Sequence, residues 1–597
     1  MRASLPSSLQ QLLELPQAWP LAFAPDGASL LIASNLPGIR QLFLGDVDGG
    51  ALEQLTDLPE PVNGTLLPDG RVLLLVDEGG NERTQLYVME RGGAPEPLVV
   101  DPRFNHWTPA VSRDGSLLAY ATNRGNGRDF EVVVRRLAGG EEQTFDLRGY
   151  LGVHGFSPDG RRLVVKRLGE LAGDSDLFVI DVDTGEVVHA TPHTGAAEYM
   201  TPSWLADSSG LYAATNAFGD FQSLARYDLG TGEWEVVLEL PCDLECAVDD
   251  AGRSLLVSAN EDGWSRLELR DPATLELRGE VPLPGRGIVV EWPAPPVFSR
   301  DGSRLAFAFS SPREPLQAYC YDLDAGELRR LTGDGPIEGA DPELHRFASF
   351  DGEEIPVFLF RPEGEGPFPV VLTVHGGPEA QWRPFFSPSV GAFTQFLVSR
   401  GYAVAAPNVR GSTGYGKRFE HLDDVALRLD SVRDLAELHA WLSARPEIDG
   451  SRAVVFGGSY GGYMVLAALA FHPELWAAGV SFVGISNLVT FLENTSEYRR
   501  AAREREYGSL TNEREVLERV SPASRIDEIR APLFLEHGRN DPRVPVGESE
   551  YIHRVLTEKG VRCELVVYED EGHAIEKRPN RIDAYERVAA FLDEVLG

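Results

Sequence analysis

The sequence predicts a two-domain chain, a seven-bladed β-propeller followed by a mostly parallel, doubly wound α/β domain. Three observations predict it. An Asp-Gly turn recurs through the first 300 residues. Beyond residue 335 strand-like and helix-like segments alternate. Within that second half a glycine-rich strand–turn–helix carries a serine, Phe456-Gly457-Gly458-Ser459-Tyr460-Gly461-Gly462-Tyr463.

The turns come first. Phe23-Ala24-Pro25-Asp26-Gly27 recurs at Asp69-Gly70, Asp114-Gly115, Asp159-Gly160, more weakly at Asp207 with Gly210, then at Asp250 with Gly252 and at Asp301-Gly302. A glycine supplies the positive φ of a tight hairpin. An apolar strand such as Leu117-Leu118-Ala119-Tyr120-Ala121 follows the turn, and further short strands follow that. Short strands repeating about every 40–50 residues indicate propeller blades, here seven. No blade buries its faces alone, so neighbours stack into a ring.

The segments outside the repeat set the boundaries. Residues 1–20 are expected to form a helical segment, with Ser8 to Leu15 amphipathic, packing on the second domain. The propeller is assigned to residues 21–335 and the α/β domain to 336–597, divided near Gly333-Asp334-Gly335-Pro336. In the α/β part, 370–375, 402–407, 453–456, 478–483, the apolar start of 531–541 (with His537 placed in the polar loop that ends it) and 563–568 read as strands. Residues 390–397, 424–443 and 583–596 read as helices.

Composition excludes several classes. At 597 residues the chain is too long for one core. A formal net charge of -37 argues against nucleic acid and anionic membrane as partners. No stretch approaches the ~18 apolar residues of a membrane span, and no signal peptide is evident. Four cysteines, Cys242, Cys246, Cys320 and Cys563, are too few for a disulfide framework. A cytoplasmic location is the expectation. An oligomer is left open.

The chemistry centres on Ser459. Gly457, Ser459 and Gly461 fit the G-x-S-x-G elbow, where the nucleophile sits on a turn too tight for flanking side chains. Downstream, Asp541 and His573 each fall just past a strand, in the chain order Ser…Asp…His of an α/β-hydrolase. His573 would take the serine proton, and Asp541 would fix its tautomer. Acyl transfer also needs donors for the developing oxyanion. Gly377, in His375-Gly376-Gly377-Pro378 after an apolar strand, and the N–H of Tyr460 are the expected pair. His375 and His537 are read as structural. The chemistry requires no metal and no cofactor.

These motifs resemble the prolyl oligopeptidase family of serine peptidases. Besides the elbow they include Asn408-Val409-Arg410-Gly411-Ser412-Thr413-Gly414-Tyr415-Gly416, Asn540-Asp541-Pro542-Arg543-Val544-Pro545 and Glu571-Gly572-His573. The resemblance spans the whole chain. It implies a propeller that filters substrates by size, and therefore short peptides. Gly-Gly-Ser-Tyr-Gly-Gly-Tyr looks like the acylaminoacyl-peptidase branch, in which an arginine two residues after the aspartate contacts substrate. Arg543 matches it. Dipeptidyl peptidases carry a Glu-Glu pair for a free amine. Glu141-Glu142 stands in the third repeat without that setting, and reads as an exposed acidic pair. Release of N-acylated residues from blocked peptides is therefore expected. A dipeptidyl aminopeptidase, an endo-acting oligopeptidase, a carboxypeptidase and an esterase are the alternatives. Phe491 and Val544 are expected to contribute to the substrate pocket.

Overall fold

Seven antiparallel sheets follow one another from Ala18 to Arg330, each built from consecutive strands. A computed structural model describes residues 8–291 and 294–597. The first six sheets have four strands, and the seventh splits its inner strand into two short pieces. The Asp-Gly motif joins the first two strands of a blade, and Gly27, Gly70, Gly115 and Gly160 all have φ between 67° and 89°. The fifth copy departs from the sequence reading. Ser208, at φ 60°, takes the left-handed position there, and Gly210 opens the next strand. Serine costs more than glycine in that conformation, which explains the weak motif.

The second strand of a blade lies between neighbours on both sides. Hence Gly210–Thr215 is buried along its whole length and carries no polar alternation. The ring closes by side-chain packing. Ala18, Leu30 and Ile32 of the first blade meet Ala306, Ala318 and Cys320 of the last. Glu142 lies on an outer strand and pairs with Arg124 and Arg135. All four cysteines are free thiols.

The helix preceding the propeller is Leu9–Leu13, shorter than the sequence suggests, and Ser8 caps it by accepting the Gln11 N–H. Residues 1–7 of the expected segment lie outside the described residues. Leu9, Leu12 and Leu13 enter the α/β core beside Phe393, Tyr585 and Val588.

That core surrounds an eight-stranded sheet. In space its order is Glu343–Ala348, Glu354–Phe360, Ala403–Pro407, Phe368–Val374, Ile448–Gly458, Ala478–Phe482, Leu533–Gly538 and Cys563–Tyr568. The first two pairs in this order are antiparallel and the remaining five are parallel. The central strands are apolar throughout because helices cover both faces. The helix read from residue 424 starts at Arg428 instead. Val425 has φ 47°, and only short 3-10 turns precede the helix. Ser459, Asp541 and His573 follow the C-terminal ends of parallel strands, the usual edge for sites in such sheets.

Candidate active site

Ser459 sits between the Ile448–Gly458 strand and the Tyr460–Phe471 helix at φ 59°, ψ -118°. A non-glycine residue is strained there. The strain is held by the Ser459 N–H, which donates to Phe482 O at 2.9 Å, and by Ser459 O, which accepts from the Tyr463 N–H at 2.9 Å. The flanking glycines are sterically required. A Cβ on Gly457 would lie 2.5 Å from Gly461 O, and one on Gly461 would lie 2.2 Å from Val374 O.

The structure brings Asp541 and His573 together. His573 Nδ1 donates to Asp541 Oδ2 at 2.7 Å, which leaves Nε2 as the ring atom facing proton transfer. Asp541 Oδ1 accepts the N–H groups of Arg543 (2.8 Å) and Val544 (3.0 Å). Burial would raise this carboxyl. The His573 charge and the hydrogen bonds from His537 and His573 outweigh it, holding Asp541 well below the usual carboxylate range. Ser459 Oγ makes no hydrogen bond to His573 among the described residues. Such bonds commonly tighten only once substrate is bound.

Gly376 lies against the nucleophile, where an added Cβ would be 3.5 Å from Ser459 Cβ. Gly377 follows at φ 137°. The Tyr460 N–H is in the first helical turn, where it has no intrahelical partner. Gly376, the neighbour of the expected donor Gly377, and Tyr460 thus both border Ser459. Burial lowers the pKa of His375, and its ring nitrogens lie 2.8 Å from Gly376 O and 2.9 Å from Ser412 Oγ. His537 is on the strand rather than in the loop. It donates from Nε2 to Val544 O at 2.8 Å, and Ser549 Oγ lies 2.8 Å from Nδ1.

Two expected pocket residues do not face open space. Phe491 and Val544 are each 2% exposed and pack in the α/β core. Phe491 meets Tyr507 edge-on at 5.7 Å. Their apolar character serves packing, which sequence alone does not separate from pocket lining.

The propeller supplies what the sequence reading missed. Its hairpin over residues 77–84 reaches the catalytic loops. Asn540 Nδ2 donates to Gly79 O at 3.0 Å. Gly80 abuts Gly572, the neighbour of His573. Glu82 accepts from Arg543 Nε at 2.5 Å and from Arg499 Nη1 at 3.1 Å. The Gly79-Gly80 pair signals a tight turn, but no sequence signal places that turn 461 residues away against Arg543. A second unforeseen residue is Glu379, directly after the oxyanion loop. It is half-buried and its side chain has neither ion pair nor hydrogen bond among the described residues. Glu420 lies near it. Burial, then the charges of Glu198, Glu379 and Asp243, push the Glu420 carboxyl well above the ordinary range.

Residues 388–597 match the family described as "Prolyl oligopeptidase family". Dipeptidyl aminopeptidase BIII of Pseudoxanthomonas mexicana is 27% identical over 632 residues, covering 98% of this chain and 87% of that protein. The acylamino-acid-releasing enzyme of Rattus norvegicus is 25% identical over 270 residues, covering 43% of this chain and 35% of that protein. Among solved structures, one from a study of two prolyl endopeptidases superposes with TM-score 0.86 at 18% identity, covering 98% of this chain and 90% of that one. The seven-bladed propeller over an α/β sheet is the fold of that structure, and the matches make the chain a serine peptidase whose residues 388–597 belong to the prolyl oligopeptidase family.

Proposed function

We propose that this peptidase cleaves short peptides near a free N-terminus, through an acyl-enzyme on Ser459. His573 would accept the Ser459 proton and return it to the leaving amine, with Asp541 holding the imidazolium. The N–H groups of Gly377 and Tyr460 would bind the oxyanion.

Glu379 carries the choice of terminus. It stands two residues from Gly377, and two residues of extended chain span at most about 7 Å. An ammonium held there would belong to the first or second residue of a substrate whose carbonyl occupies the oxyanion site. The expectation of a blocked terminus rested on the elbow's resemblance to the acylaminoacyl branch, on the cationic Arg543 and on the lack of a recognisable acidic clamp in the propeller. Glu82 offsets the cation, and Glu379 supplies an acidic group from the α/β domain instead. The register of the dipeptidyl aminopeptidase relative agrees with this reading.

One observation favours the acylated alternative. Arg499 and Arg543 together outnumber Glu82, which leaves donors for an acyl carbonyl. Paired anilides with free and acetylated termini separate the two readings. Glu379→Gln should lower kcat/KM about 10- to 100-fold on the free-amine substrate and leave the acetylated one within about threefold, as loss of a charge-assisted hydrogen bond predicts. Equal losses on both substrates would remove Glu379 from amine recognition.

A further inference from the structure

A cluster of carboxylates lies behind the nucleophile elbow, apart from the triad. Asp423 and Glu506 are buried and both pair with the buried guanidinium of Arg428. Asp424 is next to them and half-buried. One oxygen each from Asp423, Asp424 and Glu506 lies within 4.8 Å of the others. Glu379 adds negative potential nearby. Arg428 thus serves two of the three close carboxylates, and Asp424 has His421 as its partner.

The hydrogen bonds show which oxygens are committed. Asp423 Oδ2 accepts from the Tyr460 hydroxyl at 2.9 Å and from Arg428. Asp424 Oδ2 pairs with His421 Nδ1 at 2.8 Å. Glu506 Oε1 accepts from Arg428. Asp423 is 0% exposed, yet its Oδ1 has no partner. Asp424 Oδ1 is likewise enclosed and without one. A buried acceptor without a donor is costly, more so when charged.

We infer that Asp423, Asp424 and Glu506 hold a hard divalent cation of the calcium or magnesium class. Carboxylate oxygens without soft or imidazole donors select such ions. The partly open side of Asp424 gives a route in. The cation would be structural. It would sit across the Asp423 carboxylate from Tyr460, the residue whose N–H serves the oxyanion, and would take no part in acyl transfer. The inference is independent of the substrate reading above.

The full-length protein, stripped with EDTA and returned to metal-free buffer, tests this. Calcium, magnesium or manganese should raise its melting temperature by a few degrees. Terbium should bind with one-to-one stoichiometry and emit on tyrosine excitation, since Arg428 Cζ lies 5.3 Å from the Tyr460 ring and 4.9 Å from that of Tyr507. Asp424→Asn, at a partly exposed position, should keep fluorophosphonate labelling of Ser459. It should weaken terbium affinity about tenfold or more. Glu506→Gln should weaken it similarly. No thermal response to any of the three ions and no sensitised emission would overturn the site. So would a wild-type response that both variants retain undiminished, because the cation would then bind elsewhere.

Discussion

Alanine at Gly80 tests whether the propeller takes part in the geometry of the triad. Its Cβ would lie 2.5 Å from Gly572 N and 2.8 Å from Gly572 Cα. Ordinary contact begins at 3.4 Å, so backbone must yield by about 0.9 Å. Gly572 precedes His573, and Gly572 in turn has no slack, because its own Cβ position would be 2.0 Å from Gly80 O. A displacement of about 1 Å at a reacting group lowers rates on the order of a hundredfold. Left-handed backbone adds about 1–2 kcal/mol of strain for alanine. Gly92 isolates that term. It has the same φ of 75° in the same blade, with nothing within 4 Å of an added Cβ. Gly80→Ala should therefore lower kcat/KM on a peptide anilide by about a hundredfold and slow fluorophosphonate labelling, while Gly92→Ala stays within about threefold. Melting temperatures of the two variants should be similar. A Gly80→Ala enzyme as active as Gly92→Ala would refute the view that this hairpin buttresses the His573 loop.

Two further outcomes follow from the same contacts. Arg543→Ala should reduce kcat/KM for peptides far more than for a small ester lacking a neighbouring carbonyl, because the Arg543 guanidinium is 40% exposed and anchored to Glu82 only through Nε. Equal losses on both substrates would make Arg543 a support of the loop alone. Glu245, in the propeller channel, is pushed up to about 8 by burial and by Glu291. A carboxyl raised on folding gives its full stability below the unfolded value near 4.3, and that stability is lost as pH rises toward 8. Glu245→Gln should thus raise the melting temperature more at pH 8 than at pH 5, by differential scanning fluorimetry. An equal change at both pH values would contradict the shift.

Local rules explain what the sequence made legible. Asp-Gly turns exposed the blades, since one position per blade demands positive φ. Where Ser208 substitutes, the signal faded. The elbow was readable because glycine is the only residue that clears Gly461 O and Val374 O. Asp541 and His573 were readable because strand ends in a parallel sheet face one edge. Contacts between distant segments carry no such signature. Glu82 meets Arg543 only because the propeller docks on the α/β domain, and nothing in either neighbourhood encodes that approach. Glu379 looked like an ordinary loop acid until its lack of a partner beside the oxyanion loop could be seen. Phe491 and Val544 erred the other way, since apolar residues near a motif belong more often to the core.

The most direct test of the account is where a fluorophosphonate attaches. The intact protein should take up one equivalent of probe, and peptide mass mapping should place it on Ser459. Uptake should be lost in Ser459→Ala, with kcat falling by several orders of magnitude. A label on another residue, or undiminished labelling of Ser459→Ala, would contradict the assignment of Ser459 as the nucleophile.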